Sequence, residues 1–94
     1  MQTGTVPFDP AEFLDSHEAQ VEYLRLSMQE NDPAEIAQAL GVVARARGMS
    51  AMARETGLGR ESLYKSLSDE GNPGLVTLTK VLQALGMKLT VVSA

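Results

Sequence analysis

Residues 50–67, SAMARETGLGRESLYKSL, constrain this chain more than any other stretch. Met52, Ala53 and Thr56, then Gly57 and Leu58, then Leu63 and Leu67 have the spacing of two short helices crossing through a tight turn, a helix-turn-helix pattern. Ala53 is small where the second helix must approach the first. Gly57 stands where the chain needs a left-handed backbone that a Cβ resists. Leu58 can then turn inward, and Gly59 opens the second helix, residues 60–67, with backbone N–H groups left free for a phosphate. Leu63 and Leu67 lie one turn apart and face a core, so Arg60, Glu61, Tyr64 and Lys65 project outward. That set suits a DNA major groove: a guanidinium for guanine, a carboxylate that accepts from cytosine, and a phenol and an ammonium for phosphates. Two amphipathic helices about a glycine also occur in ordinary bundles, so this stretch alone leaves both readings open.

Ninety-four residues suit one small domain that gains from a partner subunit. Without cysteine there is no disulfide or thiolate metal site, and His17 alone cannot assemble a zinc site, so no metal or cofactor is expected. No apolar run is long enough to span a bilayer. The start, MQTGTVPFDP, lacks the basic and apolar segments of a signal peptide, which predicts a soluble cytoplasmic protein. The net charge of −4 is unevenly spread. Residues 1–40 carry eight carboxylates against Arg25 alone, a balance of −7, whereas residues 41–94 carry seven cations against four carboxylates, a balance of +3. A modestly basic half can meet phosphates while an acidic half meets something basic; the acidic half also reads as a solvated helix surface.

The rest of the chain punctuates itself. Asp9, Pro10 and Glu12 form a helix start, followed by one or two turns with Phe13 and Leu14, and Ser16 can cap the next helix. Over residues 17–30 the apolar positions Val21, Leu24 and Met28 recur at helical spacing, with Glu18, Glu22, Arg25 and Gln29 opposite. Asp32, Pro33 and Glu35 repeat the start signal. Ile36, Leu40 and Val43 then form a stripe backed by Ala37, Ala39 and Ala44, closed by Gly48. Arg45 and Arg47 in its last turn complement the helix dipole and are also candidate phosphate contacts, as is Ser50. After the turn chemistry of SDEGNPG, the positions Leu75, Leu78, Val81, Leu82 and Leu85 make a final helical stripe ended by Gly86. Residues 87–92 change to period two, which predicts a strand paired either with residues 3–8 or with a second subunit.

The order of these elements resembles the lambda-repressor-like (Cro/cI type) helix-turn-helix domain. More narrowly, DPAEFLDS, ENDPAEIAQALGVVARARGMS and GNP with TLTKVLQALGMKL resemble the addiction-module antidote family of prophage and plasmid origin, over nearly the whole chain. The resemblance implies a mainly all-α bundle of about five or six helices with a short C-terminal strand. It would form one domain: an acidic helical extension at residues 1–31, the helix-turn-helix core at 32–86 and the strand at 87–94. It also implies an antitoxin of a type II toxin–antitoxin module, binding operator DNA as a homodimer and partnered by a small basic RelE/ParE-like toxin. The positions that match the family's reading helix are Gly59, Arg60, Glu61, Ser62, Tyr64 and Lys65. Gly59 stands where Ser or Thr is usual, and Ser66 where many repressors place an apolar residue. Glu18 and Glu22 on the acidic half are the candidate toxin contacts. A phage-type repressor without a toxin partner is the alternative. An enzyme is not expected, because no paired His and nucleophile, no Gly-rich loop after a strand and no metal cluster occurs.

Overall fold

A computed structural model describes residues 9–94, which form a mainly helical, compact body. A short 3-10 helix, Pro10–Phe13, is followed by α1, His17–Ser27, α2, Pro33–Arg47, α3, Met49–Thr56, α4, Arg60–Ser66, and α5, Leu75–Ala84. The starts follow local chemistry. The Asp9 carboxylate accepts from the Ala11 N–H at 3.1 Å, the Ser16 hydroxyl from the Ala19 N–H at 3.1 Å, and the Asp32 carboxylate from the Ala34 N–H at 3.2 Å. Each satisfies an N–H that the first helical turn leaves without a partner.

Helix α2 is the central post. It buries Ala37, Ala39, Leu40, Gly41, Val42, Val43 and Ala44, and the 3-10 helix, α1, α3 and α4 all pack against it. The core continues through Met52, Leu63, Leu67, Val81, Leu82 and Leu85. Helix α5 packs on α3, and its end is held by a Schellman arrangement in which Met87 N–H donates to the Leu82 carbonyl at 2.8 Å and Gly86 N–H to the Gln83 carbonyl at 3.0 Å.

A side-chain hub ties the two ends of the chain to α2. Arg47 Nε donates to Gln20 Oε1 at 2.7 Å, and its Nη2 donates to the Leu85 carbonyl at 2.9 Å and to His17 Nδ1 at 3.1 Å. Arginine only donates, so His17 Nδ1 acts here as the acceptor. Gln20 is buried, and its Nε2 donates to the Leu14 carbonyl at 2.9 Å, which leaves neither end of its amide unsatisfied.

Three expectations are corrected. No strand occurs among the described residues: residues 87–94 run without a ladder, and Leu89, Val91 and Val92 are exposed. Alternation predicts which side a residue would face once a neighbour strand exists, but it supplies no neighbour, and the Met87 N–H is already used by the helix end. The intramolecular partner considered for this strand, residues 3–8, lies outside the described residues. Val21 is exposed because α1 turns Gln20 and Leu24 to the core instead. Leu75 is also exposed, and so is Val76 beside it, since α5 buries Val81 and Leu82 instead.

Gly41 tests the packing of α4 on α2. A Cβ built there would overlap the Leu67 carbonyl oxygen immediately after α4. In an unconstrained helix Gly→Ala stabilises by about 1 kcal/mol. Here Gly41→Ala is expected to destabilise by roughly 1–3 kcal/mol, because backbone has to shift to admit the methyl. Urea denaturation followed by circular dichroism measures the sign, and a gain would contradict the close approach.

Candidate nucleic-acid interface

Helices α3 and α4 meet through Gly57, Leu58 and Gly59. Gly57 has φ 75°, the left-handed conformation expected of it. The turn is also held by Thr56, which is buried: its hydroxyl donates to the Met52 carbonyl at 2.7 Å and accepts from the Leu58 N–H at 3.2 Å. One hydroxyl therefore ties the last turn of α3 to the second amide after it. Leu58 packs against the core, as do Leu63 and Leu67.

With Leu63 fully buried, the helical repeat turns Arg60, Glu61, Ser62, Tyr64 and Lys65 to the outside, and all five are exposed. Gly59 caps α4 without a side-chain bond. The Arg60 guanidinium carbon lies 5.9 Å from the centre of the Tyr64 ring, at the outer limit of a cation–π contact, so the pair is loosely associated. Arg60 and Lys65 form no ion pair with another described residue. Their charges remain open to a ligand.

The other candidate contacts divide. Ser50 is exposed in the first turn of α3. Arg45 points toward the N-terminal segment, where its Nη2 meets Asp9 Oδ1 at 3.0 Å. Arg45 and Tyr64 line one open groove of about 680 Å³, together with Asp9, Gln38, Val42 and Asp69. Arg47 is spent on the hub that joins α1 and α5, and so acts as a strut. On α1, Glu18 and Glu22 are exposed. Glu22 is held by both oxygens, from Arg25 Nε at 3.0 Å and Arg25 Nη2 at 2.6 Å. That pairing lowers the Glu22 pKa and raises that of Arg25. Among the described residues no cluster of His, Cys, Asp and Glu could hold a metal ion, and no helix is long and apolar enough to cross a membrane.

Three residues that position the helices were not singled out from the sequence for the roles they play. Gly41 interrupts an otherwise apolar helical run, a signal of close approach. Thr56 stood out only as a small residue at helical spacing. Gln20 carries no signal, because nothing local distinguishes a buried amide from a solvated one.

The fold and this face define a small helical protein that presents a short, cation-bearing helix packed on α2 and α3. Residues 4–93 match the family model described as probable addiction module antidote protein, and the chain belongs to that family. It is also 48% identical over 84 residues to a Haemophilus influenzae protein that bears the name "Uncharacterized protein", covering 89% of this chain and 87% of that one. No solved structure matches the chain.

The Asp9–Arg45 contact has a measurable titration. The Asp9 carboxyl lies below its ordinary value, held down first by the Ala11 N–H and then by the Arg45 guanidinium. Its folded pKa being the lower one, the associated stability is present above the unfolded value of about 3.9 and is lost as pH falls through the folded value. Arg45→Ala should raise the Asp9 pKa in a carbon-detected NMR titration without fully restoring it, since the Ala11 contact remains. An unchanged pKa would show that the ion pair is absent in solution.

Proposed function

We propose that this antidote-family chain is the antitoxin of a type II module, binding its toxin directly and repressing its own operon from a palindromic operator. The observation that carries the DNA half is the outward face of α4, where Arg60 and Lys65 project without ion-pair partners among the described residues, beside Glu61, Ser62 and Tyr64. In this reading α3 and α4 are the two helices of a Cro/cI-like helix-turn-helix. Gly59 lets the backbone approach a phosphate, while Ser50 and Arg45 reach the flanking backbone. One seven-residue helix offers few base contacts, so a homodimer that doubles them on a two-fold site follows. The chain itself has no catalytic role and works in the cytoplasm. A repressor with no toxin partner is disfavoured by membership of an antidote family.

Arg60→Ala should cost about 1–3 kcal/mol on the operator and relax its specificity. Lys65→Ala should weaken all duplexes alike and reduce the salt slope by about one. Gel retardation with the DNA upstream of the gene reads both effects. Retention of full binding by both variants would remove α4 from the interface.

The toxin half of the proposal rests on family membership and on the −7 balance of residues 1–40. A small basic RNase of the RelE/ParE type must present cationic surface to RNA, and the exposed face of α1 can compete for it through Glu18 and Glu22. Because Arg25 already neutralises part of Glu22, Glu18 is the freer charge. Reversing Glu18 and Glu22 to Lys should slow toxin association and flatten its salt dependence while operator binding persists. Stopped-flow association with the adjacent gene product measures this, and an unaltered rate and salt dependence would exclude α1 as the steering surface.

A further inference from the structure

Arg45 and Tyr64 border the same groove, and there Asp9 holds Arg45. We propose that Asp9 occupies on Arg45 the place of a DNA phosphate, so that the N-terminal 3-10 helix and the nucleic-acid backbone compete for one guanidinium. The inference rests on the reading of α4 as the DNA-facing helix.

The contact has the form of a replaceable one. Toward the described residues Arg45 uses Nη2 alone, at 3.0 Å, and the oxygen it meets, Asp9 Oδ1, also accepts the Ala11 N–H at 3.1 Å. A guanidinium that could grip an anion through two parallel N–H groups is thus engaged through one. Both side chains are 39% exposed, so an incoming phosphate reaches Arg45 without opening the core. Exposed ion pairs of this kind are weak and screened by salt, and a phosphate on DNA is an acceptor of the same charge class.

The placement is equally telling. Arg45 lies in the last turn of α2, on the groove that Tyr64 of α4 also lines. The groove sets this one cation against two carboxylates, Asp9 and Asp69, so its net charge repels a phosphate backbone while Asp9 is seated. Asp9 caps the 3-10 helix from outside it; that helix is four residues long and touches the core through the partly buried Ala11, whereas Leu14 immediately after it is fully in the core. Asp9 can therefore leave Arg45 while Leu14 keeps the segment anchored. Removal of the Asp9 charge frees a cation beside α4 and relieves a repulsion in one step.

Asp9→Asn separates the two roles of this residue, because asparagine keeps an oxygen to cap the Ala11 N–H and loses the charge. The full chain is titrated by fluorescence anisotropy with two duplexes, the DNA upstream of the gene and a scrambled duplex of equal composition, across a range of salt. Circular dichroism confirms an unchanged fold. Asp9→Asn should bind both duplexes roughly three- to fivefold tighter at low salt, with a slope of log K against log salt steeper by about one per protomer. In an Arg45→Ala background most of that gain and the extra salt slope should vanish, since the competing cation is gone and only the relieved repulsion remains. Wild-type affinity and slope in Asp9→Asn, with Arg60→Ala still weakening the upstream duplex, overturn the competition and leave the α4 reading standing. A gain of undiminished size in the Arg45→Ala background overturns it too, as a general charge effect. If Arg60→Ala and Lys65→Ala also leave binding untouched, the α4 reading fails and takes the competition with it.

Discussion

The close approach of helix backbones around α2 is the contact on which the remaining helices depend. Alanine and glycine dominate its buried face, so α1, α3 and α4 can come near without long side chains between them. At Gly41 the approach is tight enough that the segment leaving α4 lies where a Cβ would stand. The orientation of α4 is thus set at its C-terminal end, by the seating of Leu67 on α2, and at its N-terminal end by the Thr56 hydroxyl in the turn. Both constraints act through buried groups, and the exposed face is left free of structural duty.

Much of this was legible because the relevant signals are local. Asp-Pro and Ser starts, glycine stops and the Leu63–Leu67 spacing each rest on the geometry of one turn, and they recovered the helices and the outward set on α4. What failed depended on partners distant in sequence. Residues 87–92 have the pattern of a strand, yet a strand is a property of two segments. Val21 and Leu75 have helical spacing, but which stripe is buried is decided by the neighbour: the Arg47 hub engages the buried Gln20 on α1, and on α5 burial falls on Val81 and Leu82. The role of Arg47 was illegible for the same reason, since its acceptors lie on helices far along the chain.

The two arginines at the end of α2 look equivalent in sequence, and the structure gives them opposite characters. Arg47 is half-buried, donates to a buried amide and to a helix-terminal carbonyl, and replacing it would strand Gln20 Oε1 in the core. Arg45 is exposed and meets one carboxylate across a few residues of 3-10 helix. The first is a structural joint between the acidic helix and the basic half of the chain. The second is a surface charge whose partner can change.

This division bears on how, in the proposed reading, one small domain would serve two ligands. The helix next to Gly59 carries Arg60 and Lys65, but Glu61 sits between them and Asp69 and Glu70 follow, so the local field for a polyanion is weak. Affinity from nonspecific phosphate attraction is correspondingly small, and in the proposed reading a larger share of binding falls to contacts made in register with bases. A cation near such a face changes the balance more than it would on a strongly basic surface. Arg45 is the cation whose availability depends on the N-terminal segment, and α1 follows that segment directly. In the proposed reading, whatever holds the acidic face of α1 acts a four-residue 3-10 helix and a three-residue connection away from the carboxylate that holds Arg45.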